Sequence, residues 1–258
     1  YPMAKKGLLA LKNVIVEKPF TSNHKEALDL QKIALETGKI IIEGVSTRFI
    51  PNFLKIKESL ALLGDIKIVT TNYSQYSRRY DAFKKGEITP AFNPKMSGGA
   101  LLDLNIYNLN FICALFGEPK HIDYFANIEH GIDTSGVLNL DYGTFKCVCT
   151  GAKDCKAPLF SSIQGDEANI TITSSLNILS DFKLTYNSEG GQMTFNDKGE
   201  VINLNQGKHR MYHEFVEMMR IILEKDMKAA NAYLDLSVLT MKVQTIARQK
   251  AGIVFAAD

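Results

Sequence analysis

The sequence predicts an α/β fold: the C-terminal part of a doubly wound parallel sheet, followed by an α+β region with a large, mostly antiparallel open sheet. Two apolar segments, residues 13–17 and 40–45, alternate with amphipathic helical segments early in the chain, which is typical of parallel βαβ units. After Gly64, apolar residues recur at every second position over many short segments, which is typical of antiparallel strands. This change of pattern predicts two domains, residues 1–63 and residues 64–258.

The first region has the order helix, strand, helix, strand, helix. Residues 1–11 have the apolar spacing of a helix, and the strand at 13–17 follows. Cap-type residues at 21–23 begin the second helix. The strand at 40–45 then leads to a helix after Pro51. This order is half of a Rossmann-type sheet.

The second region begins with a long strand, Asp65–Ser77, and a strongly apolar helix, Ser97–Phe116. Alternation of apolar and polar residues predicts further strands at 121–128, 134–141, 144–150, 159–164, 168–174, 181–187, 192–196 and 200–204. Asp141-Tyr142-Gly143 and Glu189-Gly190-Gly191 have the composition of hairpin connections. Two helices, at about 209–224 and 233–250, close the chain.

Composition and charge exclude several classes of function. The 258 residues are 45% hydrophobic and 22% charged, with a net charge of +2, as in an ordinary globular protein. No run of Lys and Arg indicates nucleic-acid binding, and no segment has the pattern of a membrane span or a signal peptide. Four cysteines are too few for a disulfide scaffold in a chain of this size, so we expect a cytoplasmic protein.

Two small clusters are candidates for a metal site, and both are disfavoured. Cys147 and Cys149 share one face of a predicted strand and Cys155 follows it, but no histidine lies at zinc spacing. His209 and His213 are one helical turn apart without the second histidine of a metalloprotease helix. We expect cysteines that pack as small hydrophobes, histidines that cap or face solvent, and no metal.

The strand Val14–Glu17 ends at Lys18 and Pro19, and this strand end is the strongest candidate site. In open α/β sheets, ligands bind just beyond the carboxyl ends of the strands. Pro19 fixes the backbone that directs Lys18. The alternative is a lysine that merely extends its ammonium group into water.

Asp103 and Tyr107 are the second candidates. If Ser97–Phe116 is one helix, they lie one turn apart on the same face. Burying an aspartate in an apolar helix is costly without a cationic partner, and Lys18 is a candidate. An ammonium group beside Tyr107 would lower its pKa and suit it to exchange a proton with a substrate oxygen. Alternatively, Asp103 caps the local backbone and Tyr107 only packs.

Together these motifs resemble one enzyme family. Glu17-Lys18-Pro19 after an apolar strand, the run from Gly98 to Asp103 with Tyr107 after it, and the closing segment 246–253 resemble the Gfo/Idh/MocA oxidoreductases over nearly the whole chain. The resemblance implies a dehydrogenase that uses NAD or NADP, with an N-terminal dinucleotide domain and an α/β substrate domain. It also implies assembly through the open sheet, as a homodimer or a dimer of dimers.

The resemblance assigns roles to individual residues. It implies catalytic roles for Lys18, Asp103 and Tyr107, and cofactor contacts from Glu17, Lys18, Pro19 and Arg48. Arg48 follows the second strand; the alternative is a surface arginine.

Two positions depart from the usual family pattern. Tyr107 stands where most of the family has a histidine. A tyrosine at this position resembles the subgroup of dihydrodiol dehydrogenases, glucose–fructose oxidoreductases and some aldose dehydrogenases. Asn105 stands where glycine is typical, and we expect its side chain to narrow the site. Tyr73 and Tyr76 are further candidates for substrate contact, although their odd spacing on a strand prevents both from facing one pocket.

One expected motif is missing. No Gly-x-Gly-x-x-Gly turn occurs in the chain, although a Rossmann-type domain uses one to hold the pyrophosphate. The strands at 13–17 and 40–45 then correspond to the fourth and fifth of the usual order. We therefore expect a fragment of a longer enzyme.

These observations predict an oxidoreductase that transfers a hydride between a nicotinamide and a sugar-like or cyclic diol substrate, with Lys18 and Tyr107 as its proton-transfer pair. One alternative is an NAD-dependent glycosidase that oxidises its substrate transiently. Another is a non-enzymatic sugar sensor with the same fold, since fold alone does not establish function.

Overall fold

The computed structural model describes residues 1–187, 191–192, 194 and 197–258. The α-helices in this described part are α1 (Pro2–Leu9), α2 (His24–Thr37), α3 (Pro51–Ser59), α4 (Tyr80–Lys84), α5 (Ala100–Asp103), α6 (Asn105–Phe116), α7 (Arg210–Glu224) and α8 (Met227–Lys250). The strands are β1 (Val14–Glu17), β2 (Ile41–Gly44), β3 (Ile66–Ser74), β4 (His121–Glu129), β5 (Ile132–Asp141), β6 (Lys146–Ala152), β7 (Phe160–Gly165), β8 (Ala168–Ile172), β9 (Phe182–Tyr186) and β10 (Glu200–Ile202).

Strands β1 and β2 pair in parallel, with Glu17 opposite Gly44, so their carboxyl ends lie side by side. Helix α2 makes the crossover that a parallel pair requires. It begins at Asn23, whose side chain accepts a hydrogen bond from the backbone N–H of Glu26, and ends at Gly38 in the left-handed conformation. The first region therefore has the predicted βαβ arrangement.

The remaining strands form one eight-stranded sheet in the order β10-β9-β8-β7-β3-β6-β5-β4. The pair β3 and β6 is parallel and every other described pair in this sheet is antiparallel. Helices α5 and α6 and the C-terminal half of α8 share an apolar core with this sheet. The predicted fold class, a parallel sheet followed by a large and mostly antiparallel open sheet, is confirmed.

The prediction of one helix over Ser97–Phe116 is wrong. The chain forms α5 and α6, which are separated at Leu104. The segment Pro94–Asp103, which ends with α5, is bent by 62° relative to α6. The break has an identifiable cause, because Asn105 and Asn108 at the start of α6 donate to backbone carbonyls of β6. Asp133 of β5 holds the other helix by accepting from the backbone N–H of Leu101. These bonds attach α6 to β6 and α5 to β5, so the two helices run in different directions.

Helix α8 begins at Met227, earlier than the predicted 233, because the Asp226 side chain accepts from the backbone N–H of Ala229. Its first half packs with α1, α2 and β2, and its second half packs under the eight-stranded sheet. Helix α8 therefore fixes the two sheets relative to each other.

The predicted hairpin at Glu189-Gly190-Gly191 and the predicted strand at 192–196 fall largely outside the described residues.

Within the described ranges, no single helix has both the length and the apolar character needed to cross a bilayer. The segments Pro94–Asp103 and Asn105–Phe116 meet that criterion only as a bent pair. Most of the second segment is buried in the core beneath the sheet.

Candidate active site

Lys18 follows β1 directly and its ammonium group reaches the end of α5. The Nζ atom donates to the backbone carbonyl of Asp103 at 2.7 Å and to its Oδ1 at 3.2 Å. The same nitrogen lies 4.7 Å from the centre of the Tyr107 ring. Only 16% of the Lys18 side chain is exposed, so the alternative of a lysine extending into water does not hold. The structure thus brings Lys18, Asp103 and Tyr107 together.

A second lysine shares the Asp103 carboxylate. Lys153 Nζ lies 2.7 Å from Asp103 Oδ2 and also donates to the backbone carbonyl of Ala91. The Lys153 side chain is 2% exposed. Burial raises the pKa of Asp103, but attraction to Lys153 and Lys18 outweighs it and holds the pKa below its ordinary value. Burial also lowers the pKa of Lys153, against the attraction of Asp103.

Sequence reasoning missed Lys153, although a signal was present. Lys153 comes directly after β6, as Lys18 comes directly after β1. The signal was a lysine near the end of an apolar strand, but the predicted strand ended at residue 150, three residues before Lys153.

Tyr107 lies in the first turn of α6 with its ring 5.9 Å from that of Tyr73. It is 8% exposed, and burial raises its pKa to about 12; Asp103, Glu17 and Glu214 add to the rise and Arg210 opposes it. The prediction that Lys18 lowers the Tyr107 pKa is therefore wrong. Lys18 lies over the ring, and the desolvation of the hydroxyl dominates. The phenol keeps its proton at neutral pH.

Two residues of α7, Arg210 and Glu214, complete the charged surroundings of Tyr107. They are one turn apart, and both interact electrostatically with Tyr107. Arg210 Nη1 lies 3.4 Å from the hydroxyl of Ser46. Glu214 Oε1 lies 3.6 Å from the point that a Cβ on Gly44 would occupy. An Arg and a Glu four residues apart on a helix were the available sequence signal for this pair.

The structure does not bring Arg48 to this group. Arg48 is 2% exposed and forms a buried ion pair with Glu43 at 3.0 Å. It also donates to Asn110 and Ser237. Burial lowers the Arg48 pKa, against the attraction of Glu43. This buried position agrees with neither interpretation of Arg48 from the sequence. One was a cofactor or substrate contact, and the other was a surface arginine.

The Arg48–Glu43 pair nevertheless stabilises the turn that contains Lys18. Glu43 Oε1 accepts a hydrogen bond from the backbone N–H of Phe20, two residues after Lys18. The turn Glu17–Pro19, which contains a cis Lys18–Pro19 peptide bond, is therefore held to β2. Of the two flanking residues, Glu17 is exposed and Pro19 is half-buried at the strand end.

Asn105 does not narrow the site as expected. It is fully buried, and its side chain donates to the carbonyl of Cys149 and accepts from Asn108. A Cβ on Gly151 would meet the Asn105 side chain at 2.6 Å. Asn105 therefore packs against β6, where it sets the direction of α6.

Among the described residues, no group of three or more His, Cys, Asp or Glu side chains is arranged to hold a metal ion. His209 caps α7 by accepting from the backbone N–H of Met211, as one of the sequence interpretations expected. Cys147 and Cys149 are buried, and Cys155 is exposed. Of the two tyrosines on or near β3, Tyr73 packs on Tyr107, whereas the Tyr76 hydroxyl donates to Asp81.

Comparison with known proteins identifies the class. The family model described as GFO/IDH/MocA C-terminal domain matches residues 53–172. The chain is 32% identical over 251 residues to scyllo-inositol 2-dehydrogenase (NADP(+)) IolU of Bacillus subtilis (strain 168), covering 96% of this chain and 73% of the relative. It is 27% identical over 261 residues to trans-1,2-dihydrobenzene-1,2-diol dehydrogenase of Danio rerio, covering 98% of this chain and 75% of that protein.

A solved structure shows the same fold. The inositol dehydrogenase homolog from Azotobacter vinelandii, complexed with NADH and myo-inositol, superposes with a TM-score of 0.74 at 14% identity, covering 97% of this chain and 72% of that one. The fold and these relatives define an oxidoreductase. The chain belongs to the GFO/IDH/MocA family.

Proposed function

We propose that this protein is an NAD- or NADP-dependent dehydrogenase that interconverts one secondary hydroxyl of a polyol or cyclic diol with the corresponding ketone. The substrate class follows the relatives, which are named for inositol and for a dihydrodiol. The single observation that carries the proposal is the contact of Lys18 with Asp103 and Tyr107 at the carboxyl end of β1. In an open α/β sheet this is where a ligand is expected.

Lys18 orients the substrate oxygen. An ammonium group has three N–H donors, and Lys18 uses two of them on Asp103. Its third donor has no partner among the described residues, so it is free for a substrate oxygen. Asp103 fixes the position of Lys18, and Lys153 fixes the position of Asp103.

Tyr107 transfers the proton. Its hydroxyl makes no hydrogen bond to any described side chain, and its raised pKa keeps it protonated at neutral pH. In the reducing direction it donates its proton to the ketone oxygen. In the oxidising direction the step is reversed: Tyr107 first releases its proton to solvent, and the small ionised fraction of its hydroxyl then takes up the proton of the substrate hydroxyl. Lys18 holds the substrate oxygen in both directions.

The residues present fit the nicotinamide end of the cofactor. The chemistry that NAD or NADP supplies when bound is acceptance or donation of a hydride at the substrate carbon. The parallel ends of β1 and β2 place Glu17, Lys18 and Pro19 at one edge, next to Gly44, which has no side chain. Glu17, Lys18 and Pro19 remain the proposed cofactor contacts, and Arg48 supports them indirectly.

We retain the division at residues 63 and 64 as a proposal, with the cofactor side before it and the substrate side after it. Assembly through the open sheet, as a homodimer or a dimer of dimers, is likewise proposed from the family resemblance. Light scattering of the intact protein tests it. The four cysteines are unpaired, which supports the proposal of a reducing, cytoplasmic setting.

Two measurements test the proposed function. Thermal-shift titration of the intact protein with NAD, NADH, NADP and NADPH should give a saturable shift with one redox pair. Incubation with the oxidised form and scyllo-inositol, myo-inositol or a cyclic trans-diol should then produce reduced nicotinamide, seen by its absorbance. A protein that shifts with none of the four nucleotides and reduces none of them contradicts the proposal.

A further inference from the structure

Glu214 is a mostly buried residue whose carboxylate has no hydrogen-bond partner among the described residues. It lies on α7, is 4% exposed, and makes no hydrogen bond or close ion pair with any residue that the structure describes. A mostly buried carboxylate without a protein hydrogen-bond donor is costly unless water or a ligand reaches its oxygens. This group therefore requires an explanation beyond folding.

Its surroundings place it at the candidate active site. Gly44, beside Glu214 Oε1, is the last residue of β2, and Glu17 is the last residue of β1. The charge of Glu214 contributes to the raised pKa of Tyr107, so the two groups are close enough to interact. Arg210, one turn earlier on α7, also acts on Tyr107. The carboxylate thus faces the strand ends where Lys18 and Tyr107 meet.

We propose that Glu214 accepts a hydrogen bond from a second hydroxyl of the bound polyol, and so selects vicinal diols and polyols over simple alcohols. The inference rests on the proposed function and adds to it the residue that recognises the substrate. The chemistry required is a hydroxyl donor close to the reacting carbon. A ribose hydroxyl of the cofactor has the same chemistry, and the experiment below separates the two sources.

The ionisable neighbours of Glu214 make this recognition depend on pH. Burial raises its pKa to about 7; Glu17 and Glu43 add to the rise, and Arg210 opposes it. Below that pH Glu214 is protonated and accepts a hydroxyl less well, so KM for a polyol should rise as the pH falls.

The stability of the folded protein should change with pH in the opposite direction to polyol binding, and the contribution of Glu214 to it should be greatest at low pH. A carboxyl group whose pKa is raised by folding contributes most to stability below its ordinary value of 4.5 and loses that contribution as the pH rises through the raised value. The Glu214→Gln variant should therefore melt at a higher temperature than the wild type near pH 8 and show little difference near pH 5. A carboxylate with only a structural role would instead give a less stable variant near pH 8.

The test compares Glu214→Gln with the wild type, as intact protein loaded with its cofactor. Substrates are scyllo-inositol and cyclohexanol, which has one hydroxyl, and cofactor affinity is measured separately by the fluorescence of the reduced nicotinamide. We expect kcat/KM for the polyol to fall about tenfold or more relative to cyclohexanol, with unchanged cofactor affinity. Glu217→Gln, on the same helix but paired with Arg220, is the matched control and should leave the ratio unchanged.

Other outcomes overturn the inference. An equal loss with both substrates, a weakened cofactor affinity, or no change in the ratio each contradicts a substrate contact. If Glu214→Gln does not fold, Glu214→Asp keeps the charge but withdraws the carboxylate, and the same loss of selectivity is expected. Wild-type turnover is measured first, because its absence would reject the proposed function itself, whereas normal turnover with unaltered selectivity rejects only the role of Glu214.

Discussion

Lys18 and Asp103 are 85 residues apart in the sequence, yet the Lys18 ammonium nitrogen lies 2.7 Å from the Asp103 backbone carbonyl and 3.2 Å from its carboxylate. The contact joins the end of β1 to the end of α5, and therefore the parallel sheet to a helix packed on the open sheet. The third Lys18 donor has no partner among the described residues, and we propose that it holds a substrate oxygen, with Tyr107 alongside.

Replacing Lys18 by Met should reduce turnover by about a hundredfold or more, because the substrate oxygen loses its charged donor. The assay is the rate of nicotinamide reduction with saturating polyol. Lys12→Met, at the exposed opposite end of β1, is the matched control and should retain normal turnover. Near-normal turnover in the Lys18 variant would remove it from the mechanism.

Tyr107→Phe should also reduce turnover by about a hundredfold, because it removes the proton donor and keeps the ring. Tyr73→Phe alters the neighbouring ring in the same way and should have a much smaller effect. Because the Tyr107 pKa is about 12, we expect the rate of ketone reduction to show no loss attributable to tyrosine ionisation between about pH 6 and 9. A tyrosine-dependent step within that range, absent from the Phe variant, would contradict the raised pKa.

Lys153→Met should lower the free energy of unfolding by about 1–3 kcal/mol at neutral pH, because it leaves Asp103 with one cation. Asp103 has a pKa below its ordinary value of 3.8. Its stabilising contribution is therefore present above that value and is lost as the pH falls through the lowered pKa.

Urea unfolding at neutral pH and in progressively stronger acid checks the Lys153 prediction. The difference between variant and wild type should shrink as Asp103 becomes protonated. A difference that is the same at every pH would mean that Lys153 stabilises the fold by packing alone.

Arg48→Met should cost about 3–5 kcal/mol of stability, because Glu43 becomes a buried, unpaired charge. The double variant with Glu43→Gln should lose less than the sum of the two single variants, since the two residues are in contact. Urea midpoints and nucleotide affinity are measured on all three variants. Normal stability together with a tenfold weaker nucleotide affinity would restore the original interpretation of Arg48 as a cofactor contact.

Local pattern was enough to predict much of the fold and the main contact of the site. The apolar run at Val14–Glu17 identified a strand end, and an aspartate within an apolar helix required a cation, so Lys18 and Asp103 were paired correctly. The change to period-two alternation after Gly64 likewise predicted the antiparallel sheet.

The features that sequence reasoning missed depend on partners far along the chain. The break at Leu104 follows from bonds between Asn105 and β6, 44 residues away. The burial of Arg48 depends on Ser237, 189 residues away. The raised pKa of Tyr107 is a burial effect, which neighbouring residues in sequence do not reveal.

The central claim is that Lys18 and Tyr107 act on one substrate oxygen as a unit, and the turnover of the double variant Lys18→Met with Tyr107→Phe tests it most directly. Residues that act as a unit have non-additive effects. The double variant should be only slightly slower than the slower single variant. If the two losses multiply instead, Lys18 and Tyr107 act independently, and the account of the site is wrong.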